Sequence, residues 1–310
     1  MDNLCHTLVG AACGEAGLKR TTRLATATLL ISANLPDVDV LVFATGMPSV
    51  AFRRGWTHGV LAQAVLPIGL AAVMYWIGHL RKQRCDFRAL VLLSYVGVLS
   101  HVALDLLNNY GVRLLMPFSG RWFYGDSVFI VDVWLWLTLG VGVWFARRRG
   151  RVRPARVSLA VATAYIAALV TSAVLARQFV VERWRAEHGS EPRSLMVGPV
   201  PITPFRRTVI VDAGDHYRTG TFDWLPRAVA FDPAPVPKRD DDPAVEAART
   251  TNDRIQAVLV WARFPYYELE PAPGETIVTL RDLRFGGRVG GVRAVVAGSP
   301  GSARPADRAR

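Results

Sequence analysis

Ala89-Leu-Val-Leu-Leu-Ser-Tyr-Val-Gly-Val-Leu-Ser-His-Val-Ala-Leu-Asp-Leu-Leu107 is apolar and long enough to cross a bilayer, which takes about 20 residues of helix. It nevertheless carries His101 and Asp105, an i, i+4 pair that shares one helical face with Asn108. Ionisable groups inside a membrane span are costly, and they point by default to function. The same two signals, long apolar runs and misplaced polar residues, organise the rest of the chain.

Three more runs have comparable length and character: 58–78, 127–146 and 157–176. A fifth, 24–43, is interrupted by Asn34-Leu-Pro-Asp-Val-Asp39. Pro36 removes a backbone donor, so regular helix should end near Leu35. The first 16 residues are also apolar. With no basic leader and no A-x-A site, they read as a short or partly buried helix and not as a signal peptide. Beyond Arg177 the pattern changes to short strand-like runs at 208–211, 276–280 and 292–296, punctuated by Pro, Gly and Asp, while the proline-rich stretch 229–243 reads as a loop. The expected fold is mainly α. A multi-pass transmembrane helical domain of about five to six helices (1–178) precedes a small β-rich soluble domain (179–298) and a disordered tail (299–310).

Composition narrows the function classes. The chain has 310 residues and a net charge of +12 with 20% charged residues, and its mean hydropathy is +0.22. Residues 1–178 hold 18 Lys/Arg against 8 Asp/Glu, whereas the remainder is nearly balanced. The excess charge thus lies in the most apolar half, which indicates a membrane protein and no nucleic-acid partner. Three cysteines without a CxxC pattern leave no disulfide framework and no zinc finger.

Short loops set orientation through their Lys/Arg content. The turn 19–23 carries three, the loop 79–88 four and the loop 147–156 six, whereas 44–57 and 108–126 carry two each. The first three belong on the cytoplasmic side. The C-terminal domain is then extracytoplasmic, periplasmic in a bacterium whose inner membrane holds the spans.

Under that orientation the intramembrane polar residues gather at one face. They are His6, Asp37, Asp39, His58, His101, Asp105, Asp126 and Asp132. Imidazole and carboxylate suit zinc and related divalent ions, and the Asp37-Val-Asp39 pair has the spacing to bridge two of them. Arg53 and Arg54 precede His58 on an outward loop, where guanidinium can hold a phosphate. His79, His188 and His216 have ordinary surroundings, Asp132 also fits a helix start, and Trp134, Trp136 and Trp144 suit a lipid-facing belt. The arginines of 147–156 are a topology signal that can also meet anionic lipid.

Asn3-Leu-Cys-His-Thr-Leu-Val-Gly10, Leu35-Pro-Asp-Val-Asp39, Arg53-Arg-Gly-Trp-Thr-His58 and Ser100-His-Val-Ala-Leu-Asp105, with Asn109-Tyr-Gly111, resemble the YdjM-like family. Pro117-Phe-Ser119, Tyr124-Gly-Asp126 and Ile130-Val-Asp132 resemble the region of its fourth helix. Members are described as LexA-regulated, membrane-bound, metal-dependent hydrolases. The order His, Asp, His, HxxxD is also distantly similar to zinc-dependent phospholipase C and the S1/P1 nucleases, which implies phosphate-ester hydrolysis. The resemblance implies His6, Asp37, His58, His101 and Asp105 as metal ligands, with Asp39 and Asp126 as further ligands or bases and zinc, manganese or magnesium as the metal. The sequence departs from the family pattern at Arg53, Gly59 and Val133.

The leading expectation is a membrane-bound metal-dependent hydrolase acting on a phosphate ester or lipid-linked substrate, with Asp39, Asp126 and Arg54 in catalytic roles. Two alternatives belong to other classes. A cation-binding transporter or channel requires polar residues on the cytoplasmic half of the spans too, where few occur. A structural envelope protein tolerates His101→Ala with no loss of metal. No Ser-His-Asp elbow and no P-loop is present to suggest other hydrolytic chemistry.

Overall fold

The proline-bearing stretch after Ile31 divides the first long apolar run in two. In the computed structural model, which describes residues 1–45, 49–286 and 291–297, helix α1 (Asn3–Glu15) starts at Asp2, whose carboxylate accepts the amides of Leu4 and Cys5. Helix α2 (Ala25–Ser32) then ends, and a 3₁₀ segment, Leu35–Ala44, leaves it at 53°. The break falls where Pro36 requires it.

A short α3 (Ser49–Phe52) leads to α4 (Val60–Leu80) and α5 (Phe87–Leu106). These two, with α7 (Arg153–His188), are long and apolar enough to span a membrane, and α2 with its 3₁₀ continuation is a broken fourth candidate. Helix α6 (Val133–Arg149) differs from the expected run 127–146. It begins only after Asp132, which accepts the amides of Trp134 and Leu135 at 3.0 Å and so acts as its N-cap. At 17 residues and 1.5 Å per residue it is about 26 Å long, slightly short of a hydrocarbon core.

Helix α5 packs against α2 and α4. Gly97 lets it approach α2 so closely that an added Cβ would sit 2.7 Å from the Ala33 amide nitrogen and strike Ser32. Helix α7 has 36 residues and continues well past the expected run 157–176. Polar residues enter its sequence after Arg177, but one face stays apolar: Ala176, Val180 and Trp184 pack with Val197, Val209 and Phe222. The expected border at 178/179 therefore falls inside a continuous helix.

The region beyond α7 holds two antiparallel sheets. Strands β1 (Ser194–Pro199), β2 (Arg206–Asp212), β3 (His216–Asp223) and β4 (Ala228–Phe231) follow in that order, with β5 (Val236–Pro237) also on β3. The stretch 229–243, expected to be a loop, thus contributes two short strands. Next come α8 (Pro243–Thr251) and α9 (Asp253–Trp261). Their Val245 and Ile255 cover Val278 and Leu280 of a sheet ordered β6 (Pro265–Ala272), β7 (Glu275–Asp282), β8 (Val292–Ala297). The tail expected at 299–310 lies outside the described residues.

Buried arginines join this region to the membrane helices. Arg207 on β2, 1% exposed, donates to the carbonyls of Leu169 and Asp126 and to Ser172 Oγ. Arg284 donates to the carbonyls of Asn109, Tyr110 and Trp261 while pairing with Asp282. Trp261 adds a bond from Nε1 to the Tyr110 carbonyl. The segment that follows α5 is therefore clamped by the C-terminal region.

Candidate metal centre

Three separate segments deliver four side chains to one buried point. The 3₁₀ segment supplies Asp37, the loop before α4 supplies His58, and α5 supplies His101 and Asp105 one turn apart. One ligand atom of each lies within 4.8 Å of all the others, and all four residues are buried. His58 Nε2 is 3.2 Å from His101 Nε2 and 3.3 Å from Asp105 Oδ2. His101 Nε2 is 3.5 Å from Asp105 Oδ2, and each imidazole Nε2 is 3.9 Å from Asp37 Oδ1. Four ligands at about 2.0–2.1 Å around tetrahedral zinc are separated by roughly 3.3–3.4 Å, so the spacing fits a divalent cation.

Hydrogen bonding points the same way. His101 Nδ1 is 2.8 Å from the Ala33 carbonyl, an acceptor only. Thr57 Oγ1 donates to Asp39 Oδ2 at 3.1 Å and lies 3.0 Å from His58 Nδ1, so that nitrogen carries the proton. Both imidazoles then turn Nε2 toward one another and toward Asp105 Oδ2, which has no hydrogen-bond partner. Outer partners of this kind fix the orientation of metal-binding imidazoles.

The loop before α4 is held by the segment that follows α5. The Val60 amide donates to the Leu114 carbonyl and the Arg113 amide to the Arg54 carbonyl, at 2.8 and 2.9 Å. A Cβ on Gly59 would strike the Met116 carbonyl, which accounts for glycine at this departure from the family pattern. Arg54 itself has φ +50°, a left-handed conformation that costs a non-glycine residue and persists only under such constraint.

His6 joins from α1. Its ring stacks on His101 with centroids 3.7 Å apart, and its Nε2 lies 3.4 Å from Asp105 Oδ1. That oxygen also meets Arg54 Nη2 at 3.1 Å and the Met1 amino group. Asp39 stands one step back: it accepts the Arg54 amide at 2.7 Å and Thr57, and backs the Nδ1 side of His58 at 3.6 Å. Asp126 is not brought to the cluster. Both its oxygens receive Arg263 Nη1 at 2.9 Å, an ion pair between the 108–132 connection and the C-terminal region.

The two arginines divide their work. Arg54 is 4% exposed and spends its Nη groups on Asp105, Asn108 and the Met1 carbonyl, beneath the Tyr110 ring at 4.5 Å. Burial raises the Tyr110 phenol above its ordinary pKa, so it stays neutral beside these cations. Arg53 is 21% exposed, lies 3.3 Å from Asp37 Oδ1 and 3.5 Å from Asp39 Oδ1, and reaches over Phe43. Thr57, the Ala33 carbonyl and Tyr110 are partners that residue-type reasoning did not single out. Thr57 and Tyr110 lie within the Arg53–His58 and Asn109–Gly111 motifs, but only the fold reveals the Ala33 carbonyl.

The family model described as YdjM inner membrane protein matches residues 1–178, which include every member of this cluster. The chain belongs to the YdjM inner membrane protein family. This YdjM family member is also similar to the uncharacterized protein YfhP of Bacillus subtilis (strain 168), with 22% identity over 300 residues, covering 92% of this chain and 87% of that protein. No solved structure matches it. As a YdjM protein it is a membrane protein whose buried Asp37, His58, His101 and Asp105 can hold a metal ion.

Proposed function

We propose that the chain is a membrane-bound, metal-dependent hydrolase acting on a lipid-borne phosphate ester at the outer face of a bacterial inner membrane. One observation carries this reading: the Nε2 atoms of two imidazoles and two carboxylates converge within 4.8 Å of one another in a buried site. A divalent cation, zinc by its nitrogen and oxygen donors with manganese or magnesium as alternatives, supplies Lewis acidity toward a phosphoryl oxygen and acidifies a water toward neutrality.

The residues take distinct parts. Asp37, His58, His101 and Asp105 hold the cation, with His6 stacked beside them. Asp39 orients His58 through Thr57, and Arg54 holds Asp105. Arg53, partly exposed at the rim, receives the substrate phosphate. Leu41 and Phe43 next to it are 65% and 54% exposed, an apolar surface suited to the acyl part of a lipid. The Lys/Arg balance of the short loops supports an outward-facing site, and the clamped C-terminal region supports a cover over it. The test is phosphodiester cleavage by purified protein loaded with zinc or manganese, on phospholipid and on water-soluble phosphate esters. Chelator-sensitive cleavage that favours the lipid is expected; a metal-loaded protein inert toward both substrates overturns the reading.

A further inference from the structure

Helices α6 and α7 pack together, and the groove between them, lined by none of the metal-cluster residues, has a volume of about 710 Å³. Its floor is tight: a Cβ on Gly142 would collide with the Ser158 side chain. Its walls are apolar, with Val141 and Val157 51% and 52% exposed. Trp134 stands at one end and Arg149, Arg151 and Arg153 at the other. From Trp134 to Arg149 the helix rises about 22 Å, more than the roughly 15 Å of half a hydrocarbon core.

Two arginines beside this end are held by α1 and the turn after it. Arg147 pairs with Glu15 at 3.1 Å, and Arg156 donates to the Ala16 carbonyl at 2.9 Å. Arg149, Arg151 and Arg153 are exposed and have no carboxylate partner among the described residues. Arg149 is held over the Phe145 ring at 4.8 Å, on the groove wall. Of the other four arginines in this turn, three thus stand where the groove opens, and Arg148 lies over the Trp144 ring.

We infer that the α6–α7 groove is a binding site for an anionic phospholipid. One acyl chain lies along Val141 and Val157, and the headgroup phosphate rests on Arg149, Arg151 and Arg153. Guanidinium groups match phosphate geometry with paired N–H donors, and basic pockets between transmembrane helices recognise anionic headgroups. A second transmembrane helix would cover the apolar walls and leave the three cations without an anion, so charge complementarity selects the lipid. The site uses none of the metal-cluster residues and stands apart from the hydrolase reading.

The experiment is native mass spectrometry of the purified full-length chain with phosphatidylglycerol and phosphatidylcholine of matched acyl chains. Wild type should retain phosphatidylglycerol in preference. Arg149→Gln, Arg151→Gln and Arg153→Gln together should abolish the preference by on the order of a hundredfold, roughly fivefold per arginine. Arg147, Arg148 and Arg156 remain to orient the chain. Val141→Trp, which fills the groove and leaves the arginines alone, should weaken both lipids, and the triple lysine variant should keep most of the preference. Equal retention of the two lipids by wild type overturns the inference, as does undiminished phosphatidylglycerol on the glutamine variant. Cross-linking of Val141→Cys to a second copy, with the groove free of lipid, overturns it too.

Discussion

Nε2 of His58 and Nε2 of His101 face each other across 3.2 Å although 43 residues separate them in sequence. Their Nδ1 atoms have partners of their own in Thr57 and the Ala33 carbonyl, so both Nε2 atoms are placed to share a cation. Purified wild-type protein should therefore carry close to stoichiometric divalent metal, and His101→Ala and Asp105→Ala should each lose it. Elemental analysis of the three proteins decides this, and a metal-free wild type counts against the centre. Asp105→Ala should also destabilise the protein by about 3–5 kcal/mol, because it strands the buried Arg54 guanidinium. His101→Ala leaves no such charge behind and separates metal loss from unfolding.

Asp39 acts through His58. Asp39→Asn should weaken metal binding by about 10–100-fold, the usual effect of losing an outer partner of a ligating imidazole, while Asp37, His58, His101 and Asp105 remain. Chelator competition measures it. An unchanged affinity would show that the contact with Thr57 suffices to orient the ring.

Arg53→Gln should leave metal content unchanged and raise KM for a phosphate-ester substrate by about tenfold or more, as expected when a charge-assisted contact is removed. Arg54→Gln should instead lower thermal stability, since it takes the buried guanidinium from Asp105 Oδ1 and leaves the Met1 amino group as the remaining cation there. Melting curves beside kinetics distinguish rim from interior.

Gly97→Ala should force α2 away from α5, because the new methyl meets Ser32 and the Ala33 amide. Overpacking of this kind costs about 1–3 kcal/mol. The same shift carries the Ala33 carbonyl from His101, so metal affinity should fall together with the melting temperature. A stable Gly97→Ala protein with full metal affinity would refute the coupling.

Arg284→Met should remove the three carbonyl contacts that clamp Asn109, Tyr110 and Trp261 and leave Asp282 without its guanidinium. Each orphaned buried group costs about 1–3 kcal/mol. Faster amide exchange across 108–126 is expected, with bound metal retained. Exchange unchanged in that segment would mean that Trp261 and Arg263 hold it without Arg284.

Much of this arrangement is legible in the chain before folding. His101 and Asp105 share a face by helical spacing alone, and the break near Leu35 follows from what proline does to a backbone. The lengths of α4 and α5 follow from hydropathy. Other features depend on partners distant in sequence. Asp126 resembles a cluster acid until Arg263, 137 residues later, is folded against it. Asp39 and Asp37 are two residues apart, yet the 3₁₀ geometry and Thr57 send one carboxylate to the centre and the other behind His58. Helix α7 outruns its apolar stretch because the face that stays apolar meets a sheet instead of lipid, a difference hydropathy averages away.

The continuity of α7 removes any hinge between bilayer and sheet. Its residues that lie under β1 and β2 belong to the same rod as those among the spans, so tilting the span and displacing the sheet are a single motion. A thicker or thinner bilayer that re-angles the rod carries Arg207 with it, and through the Asp126 carbonyl pulls on the connection that reaches back toward Asp105. The long helix, the sheet and the connection after α5 thus form one mechanically continuous unit.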